Sequence, residues 1–179
     1  MKSADTTQKR FNLHTRSKNA TNGRLKIANR SFPCQLGRSG QTDLKREGDG
    51  ATPIGHWPAL SIYYRADKIA RPRTLLPVKI IHQQDGWCDE PLDRNYNRPV
   101  TLPYPASTES LWRNDDAYDL LVVLDYNLTK RCMHRGSAIF MHLSHKDARP
   151  TAGCLAFSER NLREILKLLR SGENIHIAA

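Results

Sequence analysis

A thiol set among the smallest side chains of the sequence, Thr151-Ala152-Gly153-Cys154, lies one polar loop beyond a histidine. That residue, His142, closes an apolar run, Ala138-Ile139-Phe140-Met141. These are the parts of a thiol nucleophile and its base. Free cysteine has a pKa of about 8.5, so an imidazole that takes its proton is needed to leave a thiolate–imidazolium pair at neutral pH. Gly153 has no Cβ and lets a substrate carbonyl approach the backbone closely. The amides of Gly153 and Cys154 then donate to the oxyanion formed when sulfur attacks that carbonyl. Pro150 removes one donor and stiffens the turn before them. The same residue types have a plain structural reading, a small buried hydrophobe and a satisfied histidine at a strand end.

Residues so placed need rigid elements beneath them. The continuous apolar run Leu120-Leu121-Val122-Val123-Leu124, bounded by Asp119 and Asp125, predicts a central strand buried on both faces. Ala138 to Leu143 is predicted to lie beside it, with His142 at the strand end. Alternation predicts strands at 24–28, 32–36, 56–64, 75–81 and 174–177. Ser158 to Arg170 is predicted as a helix, with Ser158 as N-cap and Leu162, Ile165, Leu166 and Leu169 on one face. A short helix is predicted over 110–117. The stretch 85–97 reads as a long irregular loop near the cleft, with Trp87, Tyr96 and Arg98 as possible substrate contacts. Residues 1–22 are polar and basic without a period and read as a mobile tail; residues 23–179 read as one domain.

Two blocks carry a resemblance to a known family. His142, Thr151, Gly153 and Cys154 match an upstream histidine followed by Ser/Thr-x-Gly-Cys, and Gly48-Asp49-Gly50-Ala51-Thr52-Pro53-Ile54-Gly55 matches a G-x-x-T-P-x-G turn. Together they resemble the L,D-transpeptidase (YkuD) catalytic domain, in a bacterial branch with a PT-x-GC motif. The resemblance implies a mainly β fold, a YkuD-like β-sandwich of two mixed sheets with one or two helices. It implies acyl transfer from peptidoglycan tetrapeptide stems through a Cys154 thioester, with His142 as base and the Leu143 carbonyl orienting the imidazole. The product is a 3→3 crosslink or a peptide bond to an envelope protein, with no metal or cofactor, and carbapenems are expected to acylate Cys154. Two positions depart from the family pattern. Ala152 stands where a second histidine is common, which leaves His145 as the lesser substitute base. Ala156 stands where Arg or Asn is usual, so Arg149 or Asn127 is expected to supply that polar group. Thr151 and Tyr126 complete the expected substrate contacts.

The sequence has 179 residues and a formal net charge of +10. A chain of this size buries about 70% of the surface its unfolded form exposes. The excess of basic residues suits an acidic polymer, and carboxylate-rich stem peptides rank ahead of nucleic acid because no nucleic-acid motif or aromatic-interleaved basic stripe is present. No run is apolar enough for a membrane-spanning helix. Cys34, Cys88, Cys132 and Cys154 form no CxxC pair, which argues against a disulfide framework. A periplasmic or cell-envelope location follows from the resemblance, yet no apolar segment follows Lys2 as a secretory signal would require. Three rivals stand beside the transpeptidase. One is hydrolysis of the same peptides by a carboxypeptidase or amidase. Another is a non-catalytic peptidoglycan-binding module. The third is a zinc-stabilised module using Cys132, His134, His142, His145 and Cys154.

Overall fold

The computed structural model describes residues 11–178. In chain order its elements are β1 (Phe11–His14), β2 (Asn22–Ile27), β3 (Arg30–Gln35), β4 (Gln41–Thr42), β5 (Thr52–Pro53), β6 (Gly55–Tyr64) and β7 (Val78–Ile80). These are followed by β8 (Asp85–Cys88), β9 (Arg98–Thr101), β10 (Thr108–Ser110), β11 (Leu120–Leu124), β12 (Phe140–Leu143), β13 (Leu155–Phe157), α1 (Glu159–Leu168) and β14 (Asn174–Ile177). The main sheet runs β11-β12-β13-β3-β2-β1-β14-β6-β7, and β6 also pairs with β11. The Ala59 N–H bonds toward the β14 side while the Pro58 carbonyl accepts from Asp125 on the other edge, so β6 joins both ends of the strand order. The layers of the mainly β fold are therefore sides of one closed, mixed sheet. A three-stranded sheet, β10-β8-β9, packs against it.

Period-2 alternation assigns side chains to two separate cores. Leu120, Val122 and Leu124 of β11 join Met141 and Leu143 of β12, Leu155 and Phe157 of β13 and Leu162, Ile165 and Leu166 of α1 in the interior. The intervening Leu121 and Val123 join Phe140, Cys154, Tyr118 and Trp87 in a second layer beneath the three-stranded sheet. All five residues of β11 are buried for this reason, and the run is apolar throughout because both faces are covered. Ser158 caps α1 by accepting the Asn161 N–H, and Gly172, at φ +80°, turns the chain back into β14.

Three expectations are corrected. Residues 11–14, expected within a tail, form β1, which pairs parallel with β14 and antiparallel with β2 and buries Phe11 and Leu13. Four residues are too few to show a period, and the partner β14 comes from the far end of the chain. Of the rest of the expected tail, residues 15–21 form the connection to β2, which starts at Asn22, and residues 1–10 lie outside the described residues. Residues 110–117 form no helix: Asp116 takes φ +61°, the Asn114-Asp115-Asp116 run favours turns over helix, and the Arg65 guanidinium lies 3.4 Å from the Trp112 ring centroid. The stretch 85–97 begins as β8 rather than as an irregular loop. Its Trp87 is a core residue, edge-on to Phe140 with centroids 5.0 Å apart.

Candidate active site

β12 and β13 run parallel with Met141 opposite Leu155 and His142 opposite Ala156. Phe140 and His142 therefore project from one face of β12, and Cys154, two residues before Ala156, projects from the same side of its neighbour. The Phe140 N–H reaches the Cys154 sulfur at 3.4 Å. Cys154 and His142 line one cavity of about 520 Å³ under the three-stranded sheet. Each is buried but reaches that space, with exposures of 8% and 5%.

His142 Nδ1 lies 2.8 Å from the Leu143 carbonyl oxygen. A carbonyl only accepts, so Nδ1 carries the proton and Nε2 is left as the acceptor. The Tyr118 ring packs edge-on to the imidazole at 5.3 Å between centroids. The Cys154 thiol donates to the Ala138 carbonyl at 3.1 Å. Burial pushes the Cys154 thiol up to about 12, reinforced by the Glu109 carboxylate. Burial also pulls the His142 imidazole down to about 4, against the bond to Leu143. Both shifts have one cause: a water-poor layer disfavours the charged form of each group.

The loop that presents Cys154 is tied from within. The Thr151 hydroxyl donates to the Cys154 carbonyl at 2.8 Å and accepts the Gly153 N–H at 3.1 Å. Thr151 is thereby a buried strut of the nucleophile loop. Of the two amides expected to face an oxyanion, that of Gly153 is engaged, and the Cys154 N–H has no partner among the described residues. The Gly48–Gly55 block packs directly beneath. Gly153 sits at φ +136°, and a Cβ there would lie 2.7 Å from the Ala51 carbonyl oxygen, so only glycine fits. Thr52 Oγ1 accepts the Gly37 N–H, and Gly37 bridges to Thr151. Burial works against the Asp49 carboxylate, but the Arg46 N–H, the Lys45 ammonium and the Ala51 N–H outweigh it and hold its pKa below the usual range. The buried Lys45 pairs with Asp49 at the cavity wall.

The remaining expected contacts are placed elsewhere. Arg149 is exposed, does not line the cavity, and lies 3.3 Å from the ring nitrogens of His145. Tyr126 and Asn127 line a separate cleft: the Tyr126 hydroxyl donates to the Arg135 carbonyl at the short end of hydrogen-bond distances, and Asn127 closes the 127–136 loop through Cys132 and Gly136. Neither Arg149 nor Asn127 stands in for the polar group absent at Ala156; the guanidinium groups that reach the cavity belong to Arg38 and Arg113. His145 also lines the cavity. Among the described residues no three or more His, Cys, Asp or Glu side chains are arranged to hold a metal, and no helix is long and apolar enough to cross a membrane. The four cysteines are free thiols.

With the nucleophile loop and the base on one face, the comparison with known families decides the relationship. A model of the L,D-transpeptidase catalytic domain, YkuD, matches residues 10–177. The chain belongs to that family. No curated protein and no solved structure gave a match. The work of the L,D-transpeptidase domain is enzymatic modification of peptidoglycan peptides, and the match begins at the residue before β1, in agreement with the strand found there.

Several residues of this candidate site were not legible as site residues. The side chain of Asn97, a residue fully buried at φ +55°, makes four hydrogen bonds. Its Oδ1 accepts the Trp87 Nε1–H and the Ala138 N–H, and its Nδ2 donates to the Tyr126 and Asn127 carbonyls. It thus fixes Ala138, whose carbonyl holds the Cys154 thiol. Tyr118 donates to Glu109 at 2.7 Å, and Arg113 pairs with Glu109 and Asp115. Asn97 acts through Ala138, 41 positions away, and the short-range contacts of Tyr118, Arg113 and Glu109 carry no motif that marks them as cavity residues.

Proposed function

We propose that the protein is a cysteine acyltransferase acting on peptidoglycan tetrapeptide stems in the periplasm or cell envelope. The observation that carries this reading is the convergence of Cys154 and His142 from one face of adjacent strands onto a single cavity. On substrate binding, His142 Nε2 takes the thiol proton as sulfur attacks the carbonyl of the third residue, meso-diaminopimelate in the family. The S–C bond forms, the oxyanion receives the Cys154 N–H, and collapse breaks the C–N bond to D-alanine, which leaves with the proton held by His142. An amine of a second stem or of an envelope protein then attacks the thioester, giving a 3→3 crosslink or an anchored protein and restoring the thiol. The Leu143 carbonyl keeps the imidazole in the tautomer this requires.

Incubation with a synthetic tetrapeptide stem and intact-mass analysis tests the reading. A thioester on Cys154 with one D-alanine released per chain is expected, and a carbapenem is expected to add at the same residue. Absence of both adducts overturns the proposal. Products from sacculi identify the acceptor, with tripeptide alone marking water in that role.

A further inference from the structure

One buried side chain is shared by two hollows of the molecule. Lys45, only 5% exposed, lines the cavity of Cys154 and also the cleft of Tyr126 and Asn127. Burying an ammonium is costly unless it is paired, and a methionine of similar length fills such a space without that cost. The cation therefore draws attention to what it holds.

Its contacts run in two directions. The ammonium donates to the Asp49 carboxylate and, at 3.2 Å, to the Arg46 carbonyl. Asp49 Oδ1 also accepts the Ala51 N–H at 2.9 Å, and Oδ2 accepts the Arg46 N–H at 2.8 Å. Ala51 in turn presents the carbonyl that lies beneath Gly153. On the other side the lysine stem lies against Gly136, where a Cβ would stand 2.9 Å from Cγ and 3.1 Å from Cε. Gly136, at φ +92°, comes two residues before Ala138, whose carbonyl accepts the Cys154 thiol. A single side chain thus bears on both segments that support the sulfur. Burial and the Glu109 carboxylate raise the Cys154 pKa, and the Phe140 N–H, Lys45 and Arg113 oppose them, as expected of a cation set near the thiol.

We propose that Lys45 is a positioning residue for the nucleophile, holding the Ala138 carbonyl and the Ala51–Gly153 contact in register around the Cys154 sulfur. It acts through Asp49 on one support and through Gly136 on the other. The assignment rests on the acyl-transfer reading and adds to it a residue outside the thiol–imidazole pair. Small displacements of an attacking atom are costly, so a brace of this kind acts on the rate of the chemical step.

The test follows single-turnover D-alanine release from a tetrapeptide over a range of peptide concentrations. Loss of folded protein lowers the amplitude of release and leaves the rate constant of the folded chains alone, so scaffold and positioning roles separate. Lys45→Met keeps the stem and removes the ammonium. Its rate constant at saturation is expected to fall about 10- to 100-fold, the worth of a charged hydrogen bond, with the half-saturating concentration changed less than about threefold. Lys45→Arg is expected to restore most of the loss. Asp49→Asn is expected to slow release by about tenfold, and the double variant to be no more than about threefold slower than the slower single one, because both act through one pair.

A Lys45→Met variant that loses amplitude alone, or raises only the half-saturating concentration, overturns the assignment. Additive losses from Lys45→Met and Asp49→Asn overturn it too. Where Lys45→Met yields no folded chain, Asp49→Asn decides, and a rate constant within about twofold of the wild type overturns the assignment. A wild type that releases no D-alanine overturns the acyl-transfer reading itself, and this assignment with it.

Discussion

The wall of the cavity that carries Cys154 and His142 comes from one stretch of chain, β12, its loop and β13. A second wall is gathered from Asp89 after β8, Glu109 of β10, and Arg113 and Tyr118 on the approach to β11. The first wall brings the thiol and the imidazole; the second brings charge and closes the layer from water. A parallel pair of short strands needs only its register to align two functional side chains. A wall assembled from several elements needs ion pairs and buried polar bonds to hold it, and Glu109, Arg113 and Asp115 provide them. The contrast teaches that the candidate reacting groups are concentrated on the contiguous wall, whereas their electrostatic environment is distributed over the other.

The largest expected effect lies on the first wall. Cys154→Ala removes the attacking sulfur and is expected to abolish acyl-enzyme in intact-mass spectra, with the melting temperature little changed. A full adduct on that variant would place the nucleophile elsewhere. His142→Ala is expected to slow acylation by about 10²–10⁴-fold, the range of general-base contributions. A comparable loss from His145→Ala would move the base to the loop.

Asn97→Ala joins the two walls in one experiment. It strips partners from Trp87, Ala138, Tyr126 and Asn127 in buried surroundings. A stability loss of about 2–4 kcal/mol in denaturant unfolding is expected, from orphaned buried groups. Acylation by the folded fraction should slow as well, because Ala138 no longer holds its place beside the thiol; unchanged acylation would separate Asn97 from the nucleophile.

The pH dependence follows from the buried imidazole. Its folded pKa, about 4, lies below the ordinary value of 6.5, so the unfolded chain takes up the proton first. Stability from this group is complete above pH 6.5 and is lost as pH falls from 6.5 toward 4. Unfolding curves across that window should show a shallower decline for His142→Ala than for the wild type; identical slopes would mean the imidazole is not held neutral. The smallest effect is expected on the exposed loop, where Arg149→Ala should change acylation less than about twofold, as surface ion contacts are worth little.

Much of the site was legible because its members are close in sequence and its loop demands particular residues. Gly153 is required by φ +136° and the Ala51 carbonyl beneath it, so the Gly-Cys pair and the Gly48–Gly55 block carry a signal that survives without neighbours. β11 and α1 were equally plain, one from its unbroken apolar run and the other from its three- and four-residue steps. Tyr126 and Asn127 were misplaced for the opposite reason. They follow a central strand toward the site in sequence, but their hydrogen bonds turn them into the Cys132–Gly136 loop.

By itself the sequence pointed to Cys154 and His142 as the candidate nucleophile and base, to the strand that carries His142 and to the helix that packs beneath it. Each of these is a local statement, set by side-chain period or by backbone geometry that few residues tolerate. Only the tertiary structure decided that β1 closes against β14, that Asn97 steadies Ala138, and that Glu109 lines the cavity of the thiol. Those depend on pairing between segments far apart in the chain. It also decided the direction in which burial shifts Cys154 and His142, because desolvation belongs to the layer that surrounds a group and not to the residues beside it in sequence.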